Sequence, residues 1–486
     1  MATTQTPIDA AAQTDEAGPW RLPPGRNSSV LSSLLHYVRR LWRKPVGPIQ
    51  LFEQLHRTYG NIVHLRFMGK SFIFVNDPDC IREILVTQAA SFVKERTVRR
   101  FKILVGEGLI TSEEPLHMRQ RRIAAPAFHR QRIAAYADKI IESAVAAGER
   151  IAPAKPFDMA AASMELSLEI VARTLFDTEV DADIRRIQDE VNAIMDLYNL
   201  FVAVPRIEWF LRLPIPGVMK FRRSKARLDA VVDRLIREHR AATTRGQADN
   251  GDLLSMLLSS RIEVLDASRN PTGESESMSD TQVRDEVLTI FLAGFETVAN
   301  GLTWTWYLLS QNPEAESRLH AELDEVLGTG DARRLPTLAD YPALRYTEQV
   351  FAESMRLYPP AWAMGRMNTS PVTLGPYRIP PGATFLFGQY LMSRNEEYFP
   401  DPLRFDPDRF TPEAKAARPK FTYFPFGGGS RQCIGESFAW MEGVLAIATL
   451  AQRWRFRYAD PTPPVPQPRV TLRPRDPLHM IAEARA

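Results

Sequence analysis

Apolar and polar residues alternate along two short runs near the front of the chain, Ile62 to Phe67 and Ser71 to Val75, separated by Met68-Gly69-Lys70. A period of two puts every second side chain on one face of a sheet, so this stretch predicts a β-hairpin. From Pro78 to about Leu327 the apolar positions recur at helical spacing, broken by the proline clusters Pro153 to Pro156 and Pro214 to Pro216 and by a polar loop from Asp266 to Ser277. The clearest helix follows that loop. Ser279-x-x-Gln282 has the form of a capping box, Val283, Val287, Ile290 and Phe291 keep the helical spacing, and Asn312-Pro313 stops the run. At ~1.5 Å per residue, thirty-odd residues make a helix on the order of 50 Å long, which must cross the core. Beyond Pro371 the pattern turns strand-like with Pro and Gly breaks, then returns to helix after Cys433. The last runs, Arg469 to Leu472 and Leu478 to Ile481, predict a terminal hairpin. No internal repeat is visible.

Composition narrows the class. The chain has 486 residues, 44% hydrophobic and 24% charged, and no stretch of twenty apolar residues, which describes a large globular chain able to bury a sizeable cavity. Its 61 basic and 58 acidic residues leave a net charge of +3, too small an excess for a nucleic-acid partner. The two cysteines, Cys80 and Cys433, do not suggest a disulfide framework and fit a reducing cytoplasm. Residues 1–28 read as a flexible polar tail without a signal peptide's charged-then-apolar order. Val30 to Lys44 is amphipathic and basic, suited to packing as a first helix or, less readily, to touching lipid. No transmembrane anchor is predicted.

The chemistry gathers at Phe424-Pro-Phe-Gly-Gly-Gly-Ser-Arg-Gln-Cys433-Ile-Gly-Glu. Glycines at 427, 428, 429 and 435 let the backbone bend tightly and admit something flat beside the cysteine. Turn amides and the helix N-terminus that follows are expected to favour thiolate, a strong iron ligand. The spacing Phe426-x-x-Gly429-x-Arg431-x-Cys433-x-Gly435 resembles the haem-binding signature of the cytochromes P-450, haem-thiolate monooxygenases, and the chain looks like a bacterial-type member. The resemblance implies a mainly α fold with small β-sheets (α+β). In it a single catalytic domain over residues 29–486 forms a triangular helix-rich prism, with haem b between the long helix and the helix after Cys433.

Further motifs extend the resemblance. Ala293-Gly294-Phe295-Glu296-Thr297, mid-way along the long helix, resembles the family's oxygen-activation motif. Ala293 and Gly294 would leave room above the iron, the helix would distort locally, and Thr297 with Glu296 would deliver protons. Read from the residues alone, Thr297 could instead bond back to its own helix and Glu296 could form an ion pair elsewhere. Val298 replaces the second hydroxyl common at its position. Glu353-x-x-Arg356 is by spacing a surface ion pair, but with Leu357-Tyr-Pro-Pro360 and Phe405-Asp-Pro-Asp-Arg409 it resembles a buried triad of Glu353, Arg356 and Arg409 that locks the cysteine loop. His117 and Arg121, with Arg366 and Arg431, match the family's contacts to the haem propionates. Arg119, Arg122, Arg130 and Arg132 could dock an acidic electron donor or could be an ordinary solvated face.

The guest is less legible. By resemblance the substrate surfaces are Arg96 to Leu109, Phe201 to Leu213, Phe291 and Phe295 on the long helix, and Pro360 to Met364 with Trp362, Ala363 and Met364. In the last three of these surfaces aromatic and aliphatic side chains prevail, which favours a fatty acid, terpenoid or steroid. Arg96, Arg99, Arg100 and Lys102 could anchor a carboxylate or be solvated. The expected reaction is insertion of one atom of dioxygen into a C–H bond of a hydrophobic molecule. Its electrons would come ultimately from NAD(P)H through a ferredoxin and ferredoxin reductase, or a flavodoxin-type donor, to a monomeric enzyme. A haem-thiolate peroxygenase or isomerase, and a non-enzymatic haem sensor, are the alternatives.

Overall fold

A computed structural model describes residues 19–27, 47–67, 69–176, 190, 211–244, 252–265 and 271–485. The amphipathic run Val30 to Lys44, most of Phe201 to Leu213, and residues 266–270 of the polar loop lie outside them. Six helices position the site: α1 (Leu116–Ala124), α2 (Arg130–Arg150), α3 (Met159–Leu175), α4 (Asp280–Gln311), α5 (Arg345–Leu357) and α6 (Glu436–Arg453). The predicted long helix is α4, 32 residues, with both hydrogen bonds of the capping box made: the Gln282 N–H donates to Ser279 Oγ at 3.3 Å, and the Ser279 N–H to Gln282 Oε1 at 2.9 Å. α3 lies along α4 and α2 along α6. Trp304 is wholly buried, stacked on Tyr358 at 4.0 Å, and donates its indole N–H to the Leu472 carbonyl. By length and apolarity α4 could cross a bilayer, but 83% of its apolar window is buried inside the protein, as a helix threading a core requires.

Strands β1 (Gly25–Asn27), β2 (Ile62–Phe67), β3 (Lys70–Val75), β4 (Phe92–Lys94), β5 (Met364–Asn368) and β6 (Thr384–Phe387) form one sheet in the order β1-β2-β3-β6-β5-β4. The β2–β3 hairpin is the one the alternation predicts, paired from Ile62 opposite Val75 to Phe67 opposite Lys70. The sheet begins inside the stretch expected to be a flexible tail. Gly25 runs parallel against β2, where a β-carbon would sit 1.8 Å from the His64 carbonyl oxygen, so only glycine permits the approach.

The C-terminal end departs from expectation. β7 (Trp454–Tyr458) pairs with β10 (His479–Ala484), which also pairs with Pro156–Asp158, while β8 (Pro466–Pro468) pairs with β9 (Leu472–Pro474). The two runs expected to pair with each other therefore belong to different sheets, because Arg469 and Thr471 form the turn of a tighter hairpin. Within the expected polar loop, Pro271–Ser277 is a strand paired antiparallel with Arg261–Leu265.

Candidate active site

The cysteine loop is shaped by its glycines. Gly427 and Gly429 have φ of +74° and +71°, a region costly for other residues, and a β-carbon on Gly429 would sit 2.0 Å from the Leu85 carbonyl oxygen. The Cys433 N–H closes the turn on the Phe426 carbonyl at 2.9 Å, and α6 follows. Phe426 lies against Trp440 with ring centres 5.8 Å apart. The sulfur is accessible, but to an internal cavity of about 380 Å³ that it lines with Phe426 and Gly435. Burial pushes the Cys433 thiol up to about 11, against the Gly435 N–H and Arg121, with Glu436 adding to the upward push. The expected thiolate preference is thus outweighed by desolvation, and ionisation depends on a metal, which deprotonates a coordinating thiol outright.

One arc of α4 forms the opposite wall: Thr289, Ile290, Ala293, Gly294, Thr297 and Val298. At about 100° per residue these six positions span roughly half the helix circumference. A methyl group on Gly294 would press on Val171 of α3 at 3.1 Å, so this glycine also lets α3 approach. α4 runs as an uninterrupted α-helix through Ala293 to Thr297, without the expected local distortion, and the two polar side chains of the stretch, Glu296 and Thr297, are bonded within that regular geometry. The Thr297 hydroxyl donates to the Ala293 carbonyl at 2.8 Å while the residue faces the cavity. Glu296 turns away from it. Its Oε1 accepts from the Thr471 hydroxyl at 2.6 Å, and Asn300 Nδ2 donates to both Thr471 Oγ1 and the Glu296 carbonyl. Burial pushes the Glu296 carboxyl above the ordinary range, opposed by the Thr471 bond and by Arg473.

Positive charge converges at the cavity edge. Lys94, His117, Arg121, Arg366 and Arg431 all line it, and Lys94 stands directly opposite Arg366 in the β4–β5 ladder, where like charges destabilise a sheet. Burial first, then Arg431, pushes Lys94 down to about 7 and Arg366 down to about 10. Burial, Arg431 and Lys94 push His117 down to about 4, and its Nδ1 lies 2.9 Å from Glu114 Oε1. Arg431 bonds Glu113 at 2.5 Å and the Ser112 carbonyl, and Arg121 bonds the Gln432 carbonyl at 2.7 Å. Three groups displaced toward their neutral forms by one another and by burial mark a site short of negative charge. A flat dianion ligated through Cys433 fits both the cations and the glycine-bordered slot. Lys94 escaped the sequence reading because it ends a three-residue strand that leaves no periodicity.

Glu353, Arg356 and Arg409 meet as expected. Arg356 makes two bonds to Glu353, at 2.6 and 2.8 Å, with both side chains fully buried, and its remaining N–H groups reach the carbonyls of Ser393, Pro402 and Arg404. Glu353 Oε1 also accepts from the Asp406 N–H, with Arg409 Nε 3.6 Å away. α5 bears on α6 through Phe351, whose ring would lie 2.3 Å from a β-carbon on Gly443. The network therefore ties the helix beneath the cysteine loop to the 393–410 segment.

Among the expected substrate residues, Met364 lines the cavity, whereas Phe291, Phe295, Trp362 and Ala363 do not. Phe291 and Phe295 lie outside the cavity arc of α4 and pack on each other, and Phe291 packs on Phe176 as well. The Trp362 indole is anchored on the Arg469 carbonyl at 2.9 Å, and Ala363 is covered by Gly388. The rest of the wall comes from the expected segments, Val98 and Leu109 of Arg96 to Leu109 and Pro360 and Ala361 of Pro360 to Met364, with Ile110 beside them.

A helix-rich fold holding a lone cysteine against a cavity, with cations at one edge and the mid-point of a core helix opposite, defines a haem-thiolate protein. The family model for cytochrome P-450 matches residues 23–481, and the chain belongs to that family. It is 37% identical over 440 residues to cyclooctatin synthase of Streptomyces melanosporofaciens, covering 90% of this chain and 92% of that protein. Cyclooctat-9-en-7-ol 5-monooxygenase of the same organism is 36% identical, over 87% of this chain and 88% of its own length. Pentalenene oxygenase of Streptomyces avermitilis is 32% identical, over 86% and 89%. Among solved structures, a cyanobacterial CYP120A1 with bound retinoic acid superposes with a TM-score of 0.78 at 22% identity, covering 96% of this chain and all of that one. The chain is a haem-dependent monooxygenase that uses dioxygen and hydroxylates hydrophobic small molecules.

Proposed function

We propose that this monooxygenase hydroxylates a terpenoid, receiving electrons from a ferredoxin and its NAD(P)H-dependent reductase. One observation carries the reading: the part of the cavity on the Thr297 side of the slot beside Cys433 is walled by Val98, Leu109, Ile290, Val298, Pro360 and Met364. Such a surface suits an apolar guest of branched or cyclic hydrocarbon, in keeping with the alcohol and hydrocarbon named for two of the relatives.

Haem bound through Cys433 supplies the oxygen chemistry, and Arg121, His117, Arg366 and Arg431, joined by Lys94, hold its propionates. Thr297 and Glu296 deliver protons. Burial raises the proton affinity of the Glu296 carboxyl, against the Thr471 bond and Arg473, which suits it to take up and pass on a proton from its place beside Thr471, next in sequence to Thr297. Delivery requires the carboxyl to leave Thr471 and the Thr297 hydroxyl to turn from the Ala293 carbonyl toward the cavity, two side-chain rotations on an otherwise rigid helix.

Titration of the purified haem protein with a panel of diterpenes, sesquiterpenes, steroids and fatty acids tests the guest, read by the low-spin to high-spin absorption change. Terpenoids should give saturating shifts at micromolar concentration and hydroxylated products with ferredoxin and reductase. Preference for fatty acids, or faster turnover with peroxide than with the protein donors, would reject this reading.

A further inference from the structure

Three turns before Thr297, on the same side of α4, a second buried acid is left unused by oxygen chemistry. Glu286 is fully buried; its Oε2 accepts from the Leu109 N–H at 3.1 Å, and its Oε1 has no partner. Its neighbour Asp285 accepts from the Glu107 N–H at 2.8 Å. Two successive carboxyl groups of α4 thus receive two backbone amides of the loop 106–112. The other side of Leu109 is held as well, since Lys94 Nζ donates to its carbonyl at 2.9 Å. Leu109 is therefore fixed at both peptide groups, and its side chain lines the cavity beside Thr289.

The loop is glycine-dependent where it touches the helix. Gly106 has φ of +62°, and a β-carbon there would sit 2.0 Å from Asp285 Oδ2. On Gly108 it would sit 2.0 Å from Thr289 Oγ1 and 2.6 Å from the Asp285 carbonyl oxygen. This approach leaves the Thr289 hydroxyl without a partner, a cost that only a loop held down by other bonds would bear.

We propose that Glu286 is a specificity-determining positioning residue: through the Leu109 amide it holds the loop 106–112 on α4 and so sets the cavity wall that selects the guest and the carbon presented for oxidation. The inference rests on the reading of this cavity as the guest site. Charge on Glu286 is not what the role needs. Burial pushes its carboxyl up to about 8, so at neutral pH a protonated acid already serves as the acceptor, and glutamine can replace it.

The test compares haem-loaded wild type, Glu286→Gln, Glu286→Leu and Gly108→Ala. Imidazole and 4-phenylimidazole, which bind the iron directly, are titrated by their absorption shifts, and amide exchange is followed in the 106–112 peptide. In Glu286→Leu the loss of a buried acceptor should change the affinity for 4-phenylimidazole about tenfold and leave imidazole within about twofold. The 106–112 amides should exchange faster. Glu286→Gln should match wild type on every reading. Gly108→Ala lifts the same loop without touching the acid and should resemble Glu286→Leu; it carries the comparison if the leucine variant fails to load haem. Equal shifts for both probes, no shift for either, or a glutamine variant that behaves like leucine each overturns the proposal. Neither probe is a terpenoid, so failure of the guest panel and failure of this inference are separately readable.

Discussion

Lys94 and Cys433 titrate in opposite senses when the haem site fills. Without haem Lys94 is depressed to about 7, so above that pH it is an amine. A propionate brought beside it favours the ammonium, and haem uptake above pH 7 therefore binds a proton at Lys94. Affinity from this source weakens as pH rises from 7 toward 10. Cys433, held near 11, loses its proton on ligation, which strengthens affinity over the same range. Lys94→Met removes only the first effect, so the ratio of wild-type to variant haem affinity should fall at least about tenfold between pH 7 and 9. A constant ratio would show that Lys94 does not meet the anion. Haem-free protein gives the companion reading: the unfolded chain keeps the Lys94 proton up to its ordinary value and the folded chain does not. Stability should rise with pH above 7 in wild type and less so in the variant. At Thr297, removing the hydroxyl leaves the helix bonds intact, since its present acceptor is a carbonyl of its own helix. Thr297→Ala should load haem and bind guest within about twofold of wild type, yet divert most reducing equivalents to hydrogen peroxide. Product formation still tightly coupled to electron consumption would refute proton delivery through this residue.

Among the elements, α5 shows what a buried ion pair contributes. Arg356 reaches three carbonyls of the 393–404 segment besides Glu353, so truncating it strands an acid and three acceptors in the core. Arg356→Ala should cost roughly 3 to 5 kcal/mol, seen as a lowered urea midpoint, and should abolish haem retention as measured by pyridine haemochrome. Arg356→Lys keeps charge without the planar fork and should recover only part of the loss. Unchanged haem content in the alanine variant would contradict the locking role. This helix was legible in the sequence because its signal is local: an acid and a base three apart, then two prolines. The same holds for α4, whose Ser279 and Gln282 cap each other, and for the β2–β3 hairpin, whose turn lies between its strands. Strands of three residues escaped. Gly25–Asn27 and Pro466–Pro468 take their pairing from partners elsewhere in the fold, and three residues cannot display a period. Phe291 and Phe295 were misplaced for a different reason. An apolar stripe tells which residues are buried, but half the circumference of α4 faces a cavity and the rest faces protein, and aromatic side chains suit both.

At the scale of the whole molecule, a net charge of only +3 leaves a weak overall field, so any steering of an electron donor must come from a local patch. α1 and the start of α2 offer one. α1 turns His117 and Arg121 toward the cavity, and Arg121 is bonded to the Gln432 carbonyl next to Cys433. Arg122 lies exposed on the same short helix, with Arg130 and Arg132 exposed on the first turn of α2. A donor docked there would stand close to the cysteine loop, separated from the haem site by one helix. Reversing the patch with Arg130→Glu and Arg132→Glu should slow the first electron transfer from an acidic ferredoxin about tenfold at roughly 10 mM salt, where charges act over about 30 Å. The gap should close toward 150 mM, where they act over about 8 Å. Carbon monoxide trapping of the reduced haem in a stopped-flow instrument gives the rate, and the red-shifted absorption of the trapped complex confirms that Cys433 still ligates iron. A wild-type rate that fell with salt beside a variant rate that did not would place the docking face on these arginines. A variant as fast as wild type at low salt would move it elsewhere on the surface.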